Sequence, residues 1–209
     1  MEEDLIPEPE PWYKGPMKYI LGIMLIFMLV LWFIPVYSIK LDPNPTVIPK
    51  LEDVVGDIEV DEKHHNQISM LMIDGVGVKE VADKIVVRAC RESNKICDAK
   101  AIFYFVRDNF EYVSDPTAYE YVKTAKQSLV VGGGDCDDAS VLLASLLDAV
   151  GIRSRFVFIP GHVYVQAYLP DALKRYREGD YVNLDAACSN CDFGEISWKS
   201  FDKEERILG

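Results

Sequence analysis

"GGGDCDDASVLLASLL", Gly132 to Leu147, sets one cysteine between a glycine run and an apolar stretch, with three aspartates around it. Val141, Leu142, Ser145, Leu146 and Ala149 keep the three-and-four spacing of an amphipathic helix, which Gly151 closes. Asp135 is a candidate N-cap, so Cys136 falls in the first turn, where backbone N–H groups have no intrahelical partner. A helix mouth favours thiolate over thiol and offers donors to a developing oxyanion. Gly132 to Gly134 leave room for a substrate backbone to approach. Against this, a free cysteine is ordinarily a small buried hydrophobe. The charges of Asp135, Asp137 and Asp138 also oppose a thiolate. A nucleophile here demands a cationic partner elsewhere in the chain.

Beyond Gly151 the apolar period changes to two. "RSRFVFI", "HVYVQAYL" and "DYVNLDA" read as strands, with a turn at Pro160-Gly161 between the first pair. Upstream, "VKEVADKIVVRACRES" from Val78 and "DAKAIFYFVRDNFEYV" from Asp98 carry helical spacing, with Asp98 a candidate cap. Core packing is the ordinary explanation of these apolar stripes. Helices followed by an antiparallel meander predict an α+β domain with the Cys136 helix packed on the sheet.

The chain has three histidines, and His64 and His65 fall in a Pro-rich, acidic stretch. His162 opens a predicted strand directly after the Pro-Gly turn. Pairing Val165 with Val182 sets His162 opposite Asp185, within hydrogen-bond reach for facing antiparallel residues. Asp185 would then orient the imidazole, the third-group role in a nucleophile–base–acid set. A one-residue slip would turn it to the other face.

With these residues placed, "GGGDCDDASVLLASLLDAVGIRSRFV", "GHVYVQAYLP" and "YVNLDAAC" resemble the three motif blocks of the transglutaminase-like cysteine hydrolases, a papain-like superfamily. The resemblance extends over Ala99–Asp192 and includes "VRDNFEYVSD". It implies Cys136 as nucleophile, His162 as general base and Asp185 as the acid that orients it. Tyr164 stands where the family often has Trp, and Ala186-Ala187 where it often has Pro-Thr. Neither departure removes a catalytic group. Gln127 and Tyr112 are candidate second oxyanion donors, each with an ordinary structural reading beside it. The resemblance implies attack on a peptide or side-chain amide and a thioester acyl-enzyme. Water would complete a peptidase or deamidase reaction, and an amine a cross-link. No acceptor-amine site is legible, which favours a peptidase acting on a protein or peptide. A non-catalytic, membrane-tethered interaction module is the competing class. No cofactor and no metal are expected, because "DCDD" lacks the spacing of a calcium loop.

The rest of the 209 residues bounds this reading. A net charge of −12 excludes nucleic acid as the expected partner, since phosphate binding needs a basic surface. "YILGIMLIFMLVLWFIPVYSI", Tyr19 to Ile39, is uncharged and long enough for a transmembrane helix. Its acidic, Pro-rich leader and the lack of a small-residue cut site argue against a cleaved signal peptide. The expected organisation is a tail at 1–18, a single-pass helix at 19–39, an extended stalk at 40–65 and a catalytic domain at 66–209. Lysines flank the apolar run evenly, so charge leaves its orientation open. Setting Cys136 aside leaves Cys90, Cys97, Cys188 and Cys191. An even remainder suggests disulfides and hence an extracytoplasmic domain; zinc binding and redox catalysis by "CSNC" are the alternatives.

Overall fold

The computed structural model describes residues 15–33, 42–56, 58, 60, 76–116, 121–197 and 204–208. His64, His65, the first 14 residues and positions 34–39 of the apolar run lie outside them. The chain divides into two compact units, Met1–Lys40 and Leu41–Gly209.

In the first unit, α1 is described over Met17–Phe33, 17 residues, and positions 34–39 of the expected span lie outside the described residues. At 1.5 Å per residue that is about 25 Å, short of the roughly 30 Å hydrocarbon layer. No helix among the described residues is long and apolar enough to cross a membrane, so the expected span is not found in this form. The side chains described along α1 are exposed, and from Tyr19 to Trp32 none is charged.

The second unit is a five-stranded antiparallel sheet with helices packed against it. Its elements are α2 (Leu51–Val54), α3 (Val76–Ala89), α4 (Lys95–Asn109), β1 (Glu111–Tyr112), α5 (Ala125–Val131), β2 (Gly133–Gly134), α6 (Cys136–Ala149), β3 (Ser154–Ile159), β4 (His162–Tyr168), β5 (Arg177–Glu178), β6 (Tyr181–Leu184) and β7 (Arg206–Leu208). The sheet order is β5-β6-β4-β3-β7, and β1 with β2 forms a separate parallel pair. The β3–β4 turn sits at Pro160-Gly161 as expected, with Ile159 paired to His162. Proline presets its own φ, and Gly161 takes φ 79°, which a side chain disfavours.

The Cys136 helix, α6, is the centre of the domain. It packs on β3 and β4 and also touches α3, α4 and α5. Every residue from Asp138 to Leu147 is buried. Covering on all sides explains why its pattern is apolar nearly all round, interrupted by small residues. Ser140 Oγ donates to the Val163 carbonyl at 3.2 Å, fastening the helix to β4. Leu143, Leu146 and Leu147 are fully buried, each worth roughly 1.5–3 kcal/mol on the transfer scale.

Two local expectations are corrected. Helix α4 begins at Lys95, and its cap is Asn94, whose side chain accepts from Ile96 N and Cys97 N. Asp98 instead sits in the first turn, where burial raises its pKa. The first part of the expected stalk is docked on the domain rather than held away from it. Thr46 N–H donates to the Ala89 carbonyl at 2.8 Å. Leu51 N–H donates to Asn109 Oδ1 at 3.0 Å, and Val54 is buried in the core. Prolines and acids in sequence read as a spacer; here Pro43 and Pro49 are buried and Asp42 is ion-paired.

Candidate active site

The site is built where β2 turns into α6. Gly132 caps α5 at φ 71°, and β2 then runs beside β1, pairing Glu111 with Gly133 and Tyr112 with Gly134. A Cβ on Gly133 would lie 2.8 Å from the Glu111 carbonyl oxygen, and one on Gly134 only 2.1 Å from Asp138 Oδ2. Packing by the protein itself accounts for these two glycines, in place of the expected room for a substrate.

Asp135 is the N-cap of α6, accepting from Asp137 N and Asp138 N, and Cys136 is the first helical residue. The Cys136 thiol is free and half-buried, and it donates to Asp137 Oδ1 at 3.7 Å. The three aspartates are not equivalent. Asp138 is fully buried, paired with Lys123 Nζ at 2.5 Å and accepting Lys123 N–H at 2.6 Å. Its charge is therefore compensated, contrary to the reading that sets it against a thiolate. Asp137 remains beside the sulfur. Asp135 has its pKa raised by burial and by the charges of Asp138 and Asp115, against the backbone donors that lower it.

His162, Asp185 and Cys136 come together. His162 Nε2 lies 3.0 Å from Asp185 Oδ2. The expected register is two residues off: Val165 pairs with Leu184, not Val182. A two-residue shift keeps each side chain on its face, so Asp185 approaches His162 diagonally across the ladder. Burial alone would lower the His162 pKa. The hydrogen bonds and charges of Asp185 and Cys136 outweigh it and raise the value to about 9.

Three residues support the site, of which the sequence marks only Tyr164, as a departure from the family pattern. Ser197 N–H donates to Asp185 Oδ2 at 3.1 Å. Tyr164, at the position often held by Trp, stacks 6.5 Å from the His162 ring and donates its hydroxyl to Glu205 Oε1 at 2.8 Å. Lys123 is the third; a single lysine ahead of α5 gives no signal that it neutralises a carboxylate 15 residues on.

The two oxyanion candidates separate. Tyr112 is exposed for the most part; its remaining burial, and then the charges of Cys136, Asp135 and Asp137, raise its pKa, so it borders Cys136. Gln127 is buried, and its side-chain oxygen completes the capping box of α5 by accepting Thr124 N–H at 2.8 Å. That contact gives it a structural task.

The remaining cysteines form two disulfides, Cys90–Cys97 and Cys188–Cys191. Ligand atoms of Asp185, Cys188 and Cys191 cluster within 4.8 Å, the one such cluster among the described residues. Both sulfurs are bonded to each other, so a zinc knuckle is not what they build.

The chain matches the Transglutaminase-like superfamily over residues 79–186. Among solved structures, Legionella pneumophila LapG aligns with TM-score 0.45 at 15% identity, over 78% of this chain and 85% of LapG. A candidate protease of Parabacteroides distasonis aligns with TM-score 0.42 at 17% identity, over 56% of this chain and 28% of that one. A candidate cysteine protease of Cytophaga hutchinsonii gives TM-score 0.40 at 16% identity, over 66% and 47% of the two chains. No curated protein matches the chain in sequence.

Proposed function

The chain belongs to the transglutaminase-like superfamily, and from that premise we propose that it is a cysteine hydrolase cleaving peptide amides through Cys136, His162 and Asp185. The observation that carries the reading is His162, hydrogen-bonded to Asp185 and close enough to Cys136 that the sulfur helps to hold its proton. An imidazole so placed takes the thiol proton, and Asp185 holds the resulting imidazolium in position. The Cys136 thiolate adds to the scissile carbonyl. The oxyanion forms at the mouth of α6 against the Cys136 N–H, since those of Asp137 and Asp138 are taken by the Asp135 cap. His162 returns its proton to the departing amine, leaving a thioester. Water, deprotonated by the same imidazole, then hydrolyses the thioester and restores the thiol.

The proposal includes a membrane association through α1. A helix with an exposed, almost wholly apolar surface needs a cover that water does not supply. Spanning requires the helix to continue past Phe33 towards Ile39. Two disulfides support an oxidising compartment for the domain.

The test is intact-mass and peptide mass spectrometry after incubation of the full chain with a peptide library. Backbone cleavage by the wild type, absent in Cys136→Ala, is the expected result. A mass gain of about one dalton on glutamine would mean deamidation, and joined peptides would mean amine transfer. If Cys136→Ala leaves every product unchanged, the enzyme reading is wrong.

A further inference from the structure

Asp185 is held by a loop that starts at its own carbonyl and returns to its own carboxylate. Cys188 N–H donates to the Asp185 carbonyl at 3.2 Å, and Cys191 N–H to the Cys188 carbonyl at 3.1 Å. The Cys188–Cys191 disulfide closes this turn. The chain continues through the Cys191 carbonyl, which accepts from Arg107 Nη1 at 3.0 Å, and through the buried Phe193. It ends at Ser197, whose N–H donates to Asp185 Oδ2, the oxygen that also meets His162. The other oxygen, Oδ1, is buried and has no hydrogen-bond partner among the described residues. The disulfide sulfurs lie within 4.8 Å of a carboxylate oxygen of Asp185, and while oxidised they have no hydrogen to donate.

We propose that the Cys188–Cys191 disulfide is a redox control site on Asp185: its reduction by a dithiol draws the carboxylate away from His162 and lowers the reactivity of Cys136. This rests on the role given to Asp185 in the proposed triad. Cys188 is half-buried while Cys191 is 5% exposed, so the incoming thiolate attacks the Cys188 sulfur and expels the Cys191 thiolate. The second thiolate of the reductant then displaces Cys188 and closes the reductant's own disulfide. Two electrons and two protons pass to the protein in all. Beside a buried carboxylate the new thiols stay protonated, and an S–H donates to the orphaned Oδ1. A buried acceptor gains from any donor that reaches it, and the carboxylate turns towards the sulfurs. Opening the turn also frees Ser197 from its register.

The experiment uses the full chain in detergent, oxidised or treated anaerobically with dithiothreitol that is then removed. Peptide mapping reports which disulfide has opened. The titration midpoint of the His162 imidazole is followed by NMR, and the alkylation rate of Cys136 by iodoacetamide is measured at neutral pH. On opening of Cys188–Cys191, the midpoint is expected to fall by at least one pH unit from about 9, and alkylation to slow at least tenfold. Cys188→Ser/Cys191→Ser should show the lowered midpoint without reductant. Cys90→Ser/Cys97→Ser should respond to reductant as the wild type does. An unchanged midpoint in wild type with Cys188–Cys191 open overturns the proposal, and so does loss of the response in Cys90→Ser/Cys97→Ser. Failure of the triad reading looks different: His162→Gln would then leave alkylation of the oxidised protein unchanged, whatever the His162 midpoint does.

Discussion

His162 couples the chemistry of the site to the stability of the domain. Its imidazole holds a proton up to about pH 9 in the folded chain, against an ordinary value of 6.5. Below pH 6.5 the folded and unfolded chains are both protonated there, and the full contribution of its contacts is present. Between 6.5 and 9 the folded state binds more protons than the unfolded one, so stability falls as pH rises. Thermal unfolding from pH 6 to 10 checks this. Wild type should exceed His162→Gln most below pH 6.5, and the gap should shrink between pH 6.5 and 9 and level off above; a gap constant with pH would refute the assignment. How far this site was legible differs by residue. Cys136, His162 and Asp185 could be read because each has a local signature: a helix mouth, a turn, a strand end. The exact pairing could not. Apolar alternation in "HVYVQAYL" and "DYVNLDA" fits registers two residues apart equally well, because both keep the same face inward. Ser197 acts through a backbone N–H, which leaves no mark in residue type.

At the scale of elements, the mouth of α6 is a closed electrostatic unit built from two stretches of chain, Gly134–Asp138 and Lys123. Asp135 caps the helix, and Asp138 reaches back to Asp135 N–H at 3.3 Å and across to Lys123 ahead of α5. Gly134 leaves the space in which the Asp138 carboxylate lies. The "GGGDCDD" motif thus encodes a buried ion pair and its cavity alongside Cys136. Read locally, the aspartates were a burden on the thiolate; the fold removes one of them from that account by supplying Lys123. Lys123→Met keeps the apolar stem and leaves a buried carboxylate without its cation. The expected loss is about 3–5 kcal/mol, typical of breaking a buried pair from one side. Urea unfolding of the oxidised protein with an unchanged m-value checks it. A change under 1 kcal/mol would mean that the pair is solvated and does not hold the helix mouth.

Over the whole molecule, the boundary of the domain lies earlier than composition suggests. Proline and acid content mark 40–65 as a spacer, yet Asp42 reaches the deeply buried Lys100, which is only 1% exposed. Asn44 Oδ1 accepts a second bond from that ammonium at 2.7 Å, and the Tyr176 and Phe193 rings flank it at 4.8 and 5.4 Å. Asp42 also accepts from Tyr176 OH at 2.8 Å. Phe193 belongs to the loop that returns to Asp185, so the first residues of the second unit brace the same loop as the Cys188–Cys191 bridge. No sequence window could reveal this, because Asp42 and Lys100 are 58 residues apart and Lys100 lies inside a helical pattern where a lysine reads as solvated. The consequence concerns where the chain can be cut. A version starting at Leu41 keeps the partners of Lys100, whereas one starting at residue 57 leaves its charge buried and unpaired. The shorter chain should lose at least about 3–5 kcal/mol by that effect alone, before the loss of Val54 from the core. Chemical unfolding of the two chains side by side measures it, with Asp42→Ala in the longer chain expected to reproduce much of the loss. Equal stability of both truncations would show that residues 41–56 are a dispensable stalk lying on a domain complete without them.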